Sequence, residues 1–387
     1  MAAEFTSVNH YVPKWYQQQF IPAEWTDRRY HYLDLKPDKV PNPSGGGFHF
    51  RDERRQLGPI NCFHQEHLYT MFFGINATDV IEKAFFGKID NDGSQSLPFF
   101  HEYEFNEHSE KSVHDLVDFM GAQKLRTPKG LDFLKTVVRD ASDHHRALLA
   151  MQRLFQVHTT MWMECVWEVM YCDNSPTKFI VTDHPVRAYN KGCFPKSPLC
   201  LYPHAPPIDL LGTHTIFPLG LNRCLVLTNL GYVRDPDTNP MKQRVNPRAY
   251  QTTMFDLRKI QTGRQMTERE VQATNYILKT GARRYVAAAE KEWLYPEKHF
   301  TKTMWNKVGD RFFLMPDPRK ASFTTDIVMG FTGGGAIGFD EYGRTGGQRV
   351  GRMDKLREHE FATHQRHMRR WDERFGEMSR DELRKFM

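Results

Sequence analysis

Phe179-Ile-Val-Thr-Asp-His-Pro-Val186 and Cys224-Leu-Val-Leu-Thr228 are the stretches of this sequence that decide the fold class. Each contains a short run of apolar or β-branched residues that is closed by turn-forming residues, which is the pattern of a β-strand. Residues 111–170 show helical spacing instead, and another helix is expected to begin at Thr267. We therefore predict an α+β protein that is mainly helical, with a small β-sheet between residues 178 and 230.

The helical part of this prediction rests on apolar spacing and on capping residues. Residues 113–120 place apolar side chains at positions i, i+3, i+4 and i+7, which is one face of a helix. Thr127 followed by Pro128 is typical of an N-cap with proline at the first helical position. Thr267-Glu-Arg-Glu270 is a capping box, in which the two side chains satisfy backbone donors at the helix start.

Composition and charge describe a folded protein and exclude several classes. The chain has 387 residues, of which 13% are aromatic, so intrinsic disorder is not expected. The net charge of +6 is only a mild positive excess. A protein built mainly to coat nucleic acid usually carries a larger and more clustered positive charge. Six cysteines without a Cys-x-x-Cys pair are expected to be reduced thiols, which favours a cytoplasmic location. No uncharged apolar run approaches the length of a membrane span, so no membrane partner is expected.

The chain is predicted to divide into three segments. Residues 1–325 form the main α+β domain, 326–351 a Gly-rich linker, and 352–387 a C-terminal helical tail. Apolar and ring side chains in the tail step by three and four residues, at Phe361, His364, Met368, Trp371 and Phe375. This helix either docks on its own domain or binds a second copy or another protein partner.

Two polar features interrupt apolar patterns and are candidates for a site. Asn275 lies inside the apolar stripe of its helix, where a buried amide needs hydrogen-bond partners. It is either a structural strut or a site residue. Asp183 and His184 follow a predicted strand and precede Pro185. They either face a cleft at the strand end, where an Asp can tune a His, or form a turn.

Metal and cofactor motifs are weak in this chain. His359 and His364 lie five residues apart, about 140° around a helix, so they cannot easily share one ion. Gly333-Gly-Gly-Ala-Ile-Gly338 matches a dinucleotide-binding pattern, but no helix-forming sequence follows it directly. We predict no metal site, and the sequence leaves the cofactor unknown.

Several short motifs resemble those of a widespread family known only as a domain of unknown function, whose members begin His-Tyr-Val-Pro. The matching stretches are Asn9-His10-Tyr11-Val12-Pro13, Leu125-Arg126-Thr127-Pro128, Phe179–Val186, Phe217-Pro-Leu-Gly-Leu-Asn222, Asn275 and Arg284-Tyr285. Together they cover residues 7–290. Gln18 stands where members usually have an arginine. The resemblance implies a mixed helical and β fold, and it implies no reaction, cofactor or substrate.

Our leading functional hypothesis is a hydrolase of the nuclease or phosphodiesterase type that acts on nucleic acid or nucleotides. The residues expected to supply acid–base chemistry are His10, Asp183 and His184. Those expected to bind substrate are Arg126, Asn222, Asn275 and Arg284. The alternative is a non-catalytic binding or scaffold protein that engages a partner through its aromatic surface and C-terminal helix. An enzyme should gather these residues in one cleft, whereas a scaffold should use them as caps and struts.

Overall fold

The computed structural model describes residues 8–42, 45–69, 71–73, 76–78, 86–138, 144–195, 197–244, 256–301, 304–308, 312–321, 326–340, 345, 351–379 and 382. The helices in these ranges are α1 Lys14–Gln18, α2 Gly87–Ser96, α3 Ser109–Leu125, α4 Pro128–Val137, α5 His144–Met163, α6 Leu230–Arg234, α7 Glu268–Gly281, α8 Trp305–Val308 and α9 Gly351–Phe375. None of these described helices is long and apolar enough to cross a lipid bilayer.

Seventeen short strands lie in the same described ranges. They are β1 Val8–His10, β2 Tyr30–Asp34, β3 Lys39–Pro41, β4 Phe48–Phe50, β5 Arg54–Leu57, β6 His64–Glu66, β7 Met71–Phe73, β8 Asn76–Thr78, β9 Cys165–Tyr171, β10 Val181–Thr182, β11 Arg187–Asn190, β12 Thr213–Pro218, β13 Arg223–Asn229, β14 Gln261–Gln265, β15 Tyr285–Ala288, β16 Asp326–Gly330 and β17 Ala336–Asp340.

Two of the described sheets have more than two strands. One has the order β10-β15-β2-β5 and the other the order β11-β12-β13-β9-β14. Neighbouring strands in them are antiparallel, except that β14 pairs parallel with β9. β9 is buried along most of its length and has apolar side chains on both faces, as expected for a strand inside a covered sheet.

The prediction of a mainly helical protein with a small β-sheet at residues 178–230 is wrong, although the α+β class stands. Helices account for 42% of the structure and strands for 20%, and the sheets include β2, β5, β9, β14 and β15 from outside that segment. One residue, Glu164, separates α5 from β9, and no Gly, Pro or Asn marks the change from helix to strand. β2 and β15 pair across a long stretch of chain, and a local pattern carries no signal for such pairing.

The predicted helix caps are confirmed. The Thr127 hydroxyl accepts a hydrogen bond from the Gly130 backbone N–H at 3.2 Å, at the start of α4. At the start of α7, the Thr267 hydroxyl accepts from the Glu270 N–H, and the Glu270 carboxylate accepts from the Thr267 N–H. Both caps fix the direction in which the chain enters a helix.

Aromatic side chains of the N-terminal segment pack into the main core. The Tyr16 ring stacks on Phe217 of β12 with 5.4 Å between centroids, and it also contacts Phe119 of α3. The Tyr16 hydroxyl donates to the Pro218 carbonyl at 2.5 Å. The first described residues are therefore tied to the five-stranded sheet.

The predicted Gly-rich linker contains an antiparallel hairpin formed by β16 and β17. Gly334 and Gly335 in its turn have φ values of +83° and +87°, a conformation that favours glycine. Residues 341–344 and 346–350 of the predicted linker lie outside the described ranges. The division into a main domain, a linker and a tail stays a prediction.

The C-terminal helix α9 docks on the rest of the chain through one side of its C-terminal half. Trp371 is 3% exposed and packs against a cluster that includes Tyr232 of α6 and Met315. Arg319 forms an ion pair with Asp372 at 2.8 Å at the same contact. Intramolecular docking, one of the two predicted alternatives, is therefore present for this half of the helix.

Replacing Trp371 with alanine is expected to lower the free energy of unfolding by about 3–5 kcal/mol, because it leaves a cavity under α9. Phe361→Ala is the matched control, since that ring is 45% exposed on the same helix. Urea unfolding monitored by circular dichroism measures both variants. Equal losses of stability would contradict the docking of α9 through Trp371.

The cysteines differ from the expectation of six reduced thiols. Cys193 and Cys200 are joined by a disulfide bond, so that expectation is wrong for this pair. Cys62, Cys165, Cys172 and Cys224 are free thiols. The disulfide closes a short loop that follows β11.

Candidate functional site

Asp183, at the end of β10, holds three consecutive backbone N–H groups. Its carboxylate accepts hydrogen bonds from the N–H groups of Arg283, Arg284 and Tyr285, at 2.8, 2.6 and 2.9 Å. The Asp183 N–H in turn donates to the Tyr285 carbonyl. Burial raises the pKa of Asp183, while the three backbone donors act in the opposite direction. Both carboxylate oxygens are thus engaged in fixing the start of β15 against β10.

His184 lies beside the N-cap of α4. Its Nδ1 is 2.7 Å from the Thr127 hydroxyl, and the side chain is 4% exposed. Burial lowers the pKa of His184 well below its ordinary value, and the nearby positive charges of Lys129 and Lys124 lower it further. The imidazole is therefore neutral near pH 7. Within the described ranges its Nε2 makes no hydrogen bond.

Lys124, Lys129 and Arg187 form a group of cations next to His184, which we call the cationic cluster. The Lys129 ammonium donates to the Gly281 carbonyl at 2.8 Å. The Arg187 side chain packs so closely on Gly281 that a Cβ at this glycine would overlap it. Arg187 is 4% exposed, and its Nε is enclosed without a hydrogen-bond partner.

Burial and the lack of paired carboxylates determine the protonation of the cationic cluster. Among the described residues, no carboxylate forms an ion pair with Lys124, Lys129 or Arg187. Burial and the charge of Arg187 lower the pKa of Lys124 to about 8, and burial lowers that of Arg187 to about 10. Burial lowers the pKa of Lys129 well below its ordinary value, and the charges of Arg187 and Lys124 lower it further, whereas Asp183 acts in the opposite direction. A bound anion would favour the charged forms of these groups.

The two arginines predicted to bind substrate are paired with carboxylates of the protein. Arg126 makes two hydrogen bonds to Asp90, at 3.0 and 2.7 Å. Arg284 binds Asp34 and Asp38, each at 2.8 Å. Their guanidinium groups hold α2 to the end of α3, and β15 to the end of β2 and the segment that follows it.

The two predicted asparagines serve the backbone around them. The Asn275 amide accepts from the Ile180 N–H at 3.3 Å and donates to the Lys178 carbonyl at 2.8 Å, which is the geometry of a strut. Asn222 lies in the turn between β12 and β13, where its carbonyl accepts from the Cys172 N–H. The Asn222 side-chain oxygen is itself buried without a hydrogen-bond partner, and no hydrogen bond among the described residues joins either side chain to the cationic cluster.

His10 contacts neighbours other than the predicted acid–base residues. β1 pairs with β6, so His10 faces His64, and its Nε2 is 3.1 Å from the Ile60 carbonyl. Within the described ranges, no hydrogen bond or ring contact links His10 to Asp183 or His184. The structure thus joins Asp183 to the Arg284 backbone and places His184 beside Asp183 in the chain, while no hydrogen bond between described residues joins His10, Asn222 or Asn275 to this group.

The region that contains these residues matches a known protein family. A profile of a family described as protein of unknown function (DUF4238) matches residues 9–292, well over half of the chain. The chain belongs to the DUF4238 family. No curated protein and no solved structure matches it. The predicted resemblance to a family of unknown function is compatible with this match, although the family's description does not include the His-Tyr-Val-Pro label.

The three cations of the cluster, which lie in the DUF4238 region, were not predicted as site residues from the sequence. Lys124 and Lys129 flank the Leu125–Pro128 motif, and Arg187 directly follows the Phe179–Val186 motif. A buried cation leaves no periodic signal in a sequence. The sequence did contain one clue, because each of the three cations is directly adjacent to a motif that resembles the family.

No metal site is apparent in the part of the DUF4238 protein that the structure describes. These residues include no group of three or more His, Cys, Asp or Glu side chains that could hold one ion. The polar groups around His184 include the Thr127 hydroxyl and the side chains of Lys124, Lys129 and Arg187.

Because His214 is buried in its neutral form, we expect the protein to lose stability in acid. His214 is buried against the Thr228 hydroxyl, and its burial lowers its pKa to about 3. In the unfolded chain His214 binds a proton as pH falls through about 6.5, whereas in the folded protein it stays neutral until about pH 3. The free energy of unfolding therefore decreases as pH falls below 6.5. At pH 5 the loss is about 2 kcal/mol.

The test compares His214→Gln with the parent protein at pH 7.5 and pH 5.0 by urea unfolding. Burial raises the pKa of Glu168 to about 7, so protonation of Glu168 stabilises the folded protein as pH falls over the same range. This contribution is present in both proteins, so the difference between their free energies of unfolding isolates the effect of His214. The deficit of the variant should shrink by about 2 kcal/mol at pH 5.0. His49→Gln, at an exposed position, should show no such change. A constant difference for His214→Gln would contradict the prediction.

Proposed function

We propose that the protein is a hydrolase of phosphate esters, of the nuclease or phosphodiesterase type, with a nucleotide or nucleic acid as substrate. The observation that supports it is the cationic cluster, in which a buried arginine and two lysines lack carboxylate partners among the described residues. Guanidinium and ammonium groups in a site shielded from water bind phosphate strongly. The phosphate-binding role predicted for Arg126 passes in this proposal to Lys124, Lys129 and Arg187.

His184 is the proposed catalytic base at the edge of the cationic cluster. Its neutral imidazole is able to accept a proton, and its low pKa is partly due to the neighbouring lysines. A phosphate bound to the cluster cancels this positive charge, so substrate binding raises the pKa of His184 and makes it a better base.

In the proposed step, His184 acts on an ester bond of the phosphate that the cluster holds. It takes a proton from a water molecule as the water oxygen bonds to phosphorus. The phosphorus–oxygen ester bond breaks, and the leaving oxygen receives the proton that His184 took. The cluster stabilises the negative charge that develops.

The remaining predicted residues have supporting or open roles in this proposal. Asp183 positions residues 283–285 and is not assigned a proton transfer. Catalytic involvement of His10, and substrate binding by Asn222, Asn275 and Arg284, stay predictions. A cytoplasmic location also remains a proposal: the four free thiols agree with it, whereas the Cys193–Cys200 disulfide argues against it.

The alternative of a binding or scaffold protein has one observation in its favour. The N-terminal half of α9 exposes Leu356 and Phe361, at 43% and 45%. Exposed apolar residues on a helix are a common feature of surfaces that bind a protein partner or a second copy. A change in molecular mass on Phe361→Ala, measured by light scattering, would support this function.

The proposed hydrolase is tested by two measurements on the full chain. Calorimetric titration with inorganic phosphate should show saturable binding, and bis(p-nitrophenyl) phosphate or a short oligonucleotide should be cleaved. His184→Gln should lose at least about 100-fold in turnover while its phosphate affinity changes little. His49→Gln, purified in the same way, controls for contaminating enzymes. Absence of phosphate binding would contradict the proposal, and binding without cleavage would contradict its catalytic part.

A further inference from the structure

A cavity of about 240 Å³ lies between α7, the segment before β10 and the segment after β15. Glu268, Gln272 and Asn275 line it from α7, and their spacing of four and three residues places them on one face of that helix. Its other lining residues belong to 176–177 and 292–299. Pockets that hold drug-sized ligands are larger, at roughly 300–1,000 Å³. The cavity therefore suits a small molecule or a single side chain of a protein.

The charge of the cavity lining is negative. Glu268 and Glu292 contribute two carboxylates, His299 contributes an imidazole, and no lysine or arginine is among the described lining residues. Two lysines of the adjoining segments bind elsewhere. The Lys178 ammonium donates to the carbonyl groups of residues 172 and 173, and Lys279 pairs at 2.7 Å with a glutamate that does not line the cavity. The lining is therefore complementary to a cation.

The Glu268 carboxylate is oriented by two neighbours that also line the cavity. Its Oε1 accepts hydrogen bonds from the Thr177 hydroxyl at 3.0 Å and from the Gln272 amide at 3.1 Å. Its Oε2 makes no hydrogen bond to a described residue, and neither does the exposed carboxylate of Glu292. Three carboxylate oxygens thus remain to accept hydrogen bonds from a ligand that donates them.

An indole ring and two prolines give the cavity apolar walls. The half-buried side chain of Trp293 packs against the main core and lines the cavity together with Pro176 and Pro296. Cations bind to the faces of aromatic rings, and tryptophan binds them best. A guanidinium group is planar and weakly hydrated, and it can stack on a ring while its edge donates to carboxylates, whereas an ammonium group is compact and strongly hydrated. These walls and acceptors suit a guanidinium better than an ammonium.

We propose that this cavity binds a guanidinium group, which belongs either to a small guanidino compound or to an arginine side chain of a protein. The edge of the group donates to the carboxylates of Glu268 and Glu292, and its face lies against Trp293. This inference goes beyond the proposed hydrolase and does not rest on it, because no residue of the cationic cluster lines the cavity.

The test is calorimetric titration of the full chain at pH 7.5 with three ligands of similar size. Ethylguanidine should show saturable binding, ethylammonium should bind at least about fivefold more weakly, and the neutral ethylurea should not bind. N-acetyl-argininamide separates the two sources of the ligand. Tighter binding than that of ethylguanidine indicates an arginine side chain, and weaker binding indicates a small guanidino compound.

Glu292→Gln and Glu290→Gln provide a matched pair of variants. Both residues are exposed and lie two positions apart, but only Glu292 lines the cavity. The Glu292 carboxylate has no hydrogen-bond partner among the described residues, so its variant should fold, which circular dichroism checks. Loss of charge-assisted hydrogen bonds should weaken ethylguanidine binding about tenfold in Glu292→Gln, while Glu290→Gln changes it by less than about twofold.

Three results would overturn the inference. They are failure of ethylguanidine to bind, equal affinity for ethylguanidine and either of the other two small ligands, and equal losses of affinity in the two variants. None of these results bears on phosphate binding or ester cleavage, so the proposed hydrolase is judged separately.

Discussion

Arg187→Met is expected to abolish phosphate binding and to leave the unliganded protein at least as stable as the parent. The methionine retains most of the apolar stem that packs on Gly281 and removes a buried guanidinium whose Nε has no partner. Replacing an uncompensated buried charge by an apolar side chain of similar shape is often neutral or stabilising. Loss of the charge-assisted hydrogen bonds should weaken phosphate binding at least about 100-fold.

Arg319→Met is the matched control for this experiment. Arg319 is also largely buried, but it is paired with Asp317 at 2.7 Å and with Asp372 at 2.8 Å. Its removal leaves two carboxylates without their partner, so the free energy of unfolding should fall by about 3 kcal/mol while phosphate affinity is unchanged. Calorimetry and urea unfolding give both quantities. If Arg187→Met loses as much stability as Arg319→Met, then Arg187 has a structural role and the anion site is contradicted.

Asp183→Asn is expected to be strongly destabilising, although it preserves the shape of the side chain. An asparagine offers one acceptor oxygen in place of two, and its amide group turns N–H donors toward the backbone donors of Arg284 and Tyr285. Loss of charge-assisted hydrogen bonds with buried donors left unsatisfied should lower the free energy of unfolding by about 3–5 kcal/mol.

Asp173→Asn serves as the comparison for this loss. Asp173 is partly exposed and paired with Arg223 at 2.6 Å, so its charge contributes less than about 1 kcal/mol. Urea unfolding at pH 7.5 measures both variants. A loss below about 1 kcal/mol for Asp183→Asn would show that the three backbone contacts contribute little to stability.

The features that could be predicted well from sequence are those that depend on neighbouring residues. The caps at Thr127 and Thr267 could be recognised because a cap is formed within three or four residues. The strand over Cys224–Thr228 was found for the same reason, and it lies within β13. The four-stranded sheet was not found, because β15 has to pair with β2, and nothing in either short segment identifies the other.

The candidate site shows the same limit at the level of side chains. The sequence drew attention to Arg126 and Arg284, which have carboxylate partners that are distant along the chain. It gave no reason to single out Arg187, whose distinctive property is the absence of a carboxylate partner among the described residues. Pairing of buried charges is set by the three-dimensional arrangement, so paired and unpaired arginines look alike in sequence.

The order of strands in the four-stranded sheet has a consequence for synthesis on the ribosome. β2 and β5 emerge early, but β15, which separates them from β10, is made only when residue 288 has been translated. Until then β2 has an open edge, and strand pairings between distant segments form slowly. The Asp183 contacts to residues 283–285 also cannot form before residue 285 has been made. Nascent chains that stall before this point should therefore aggregate more readily than chains released after it, and the family match itself ends at residue 292, just beyond the strand that closes the sheet.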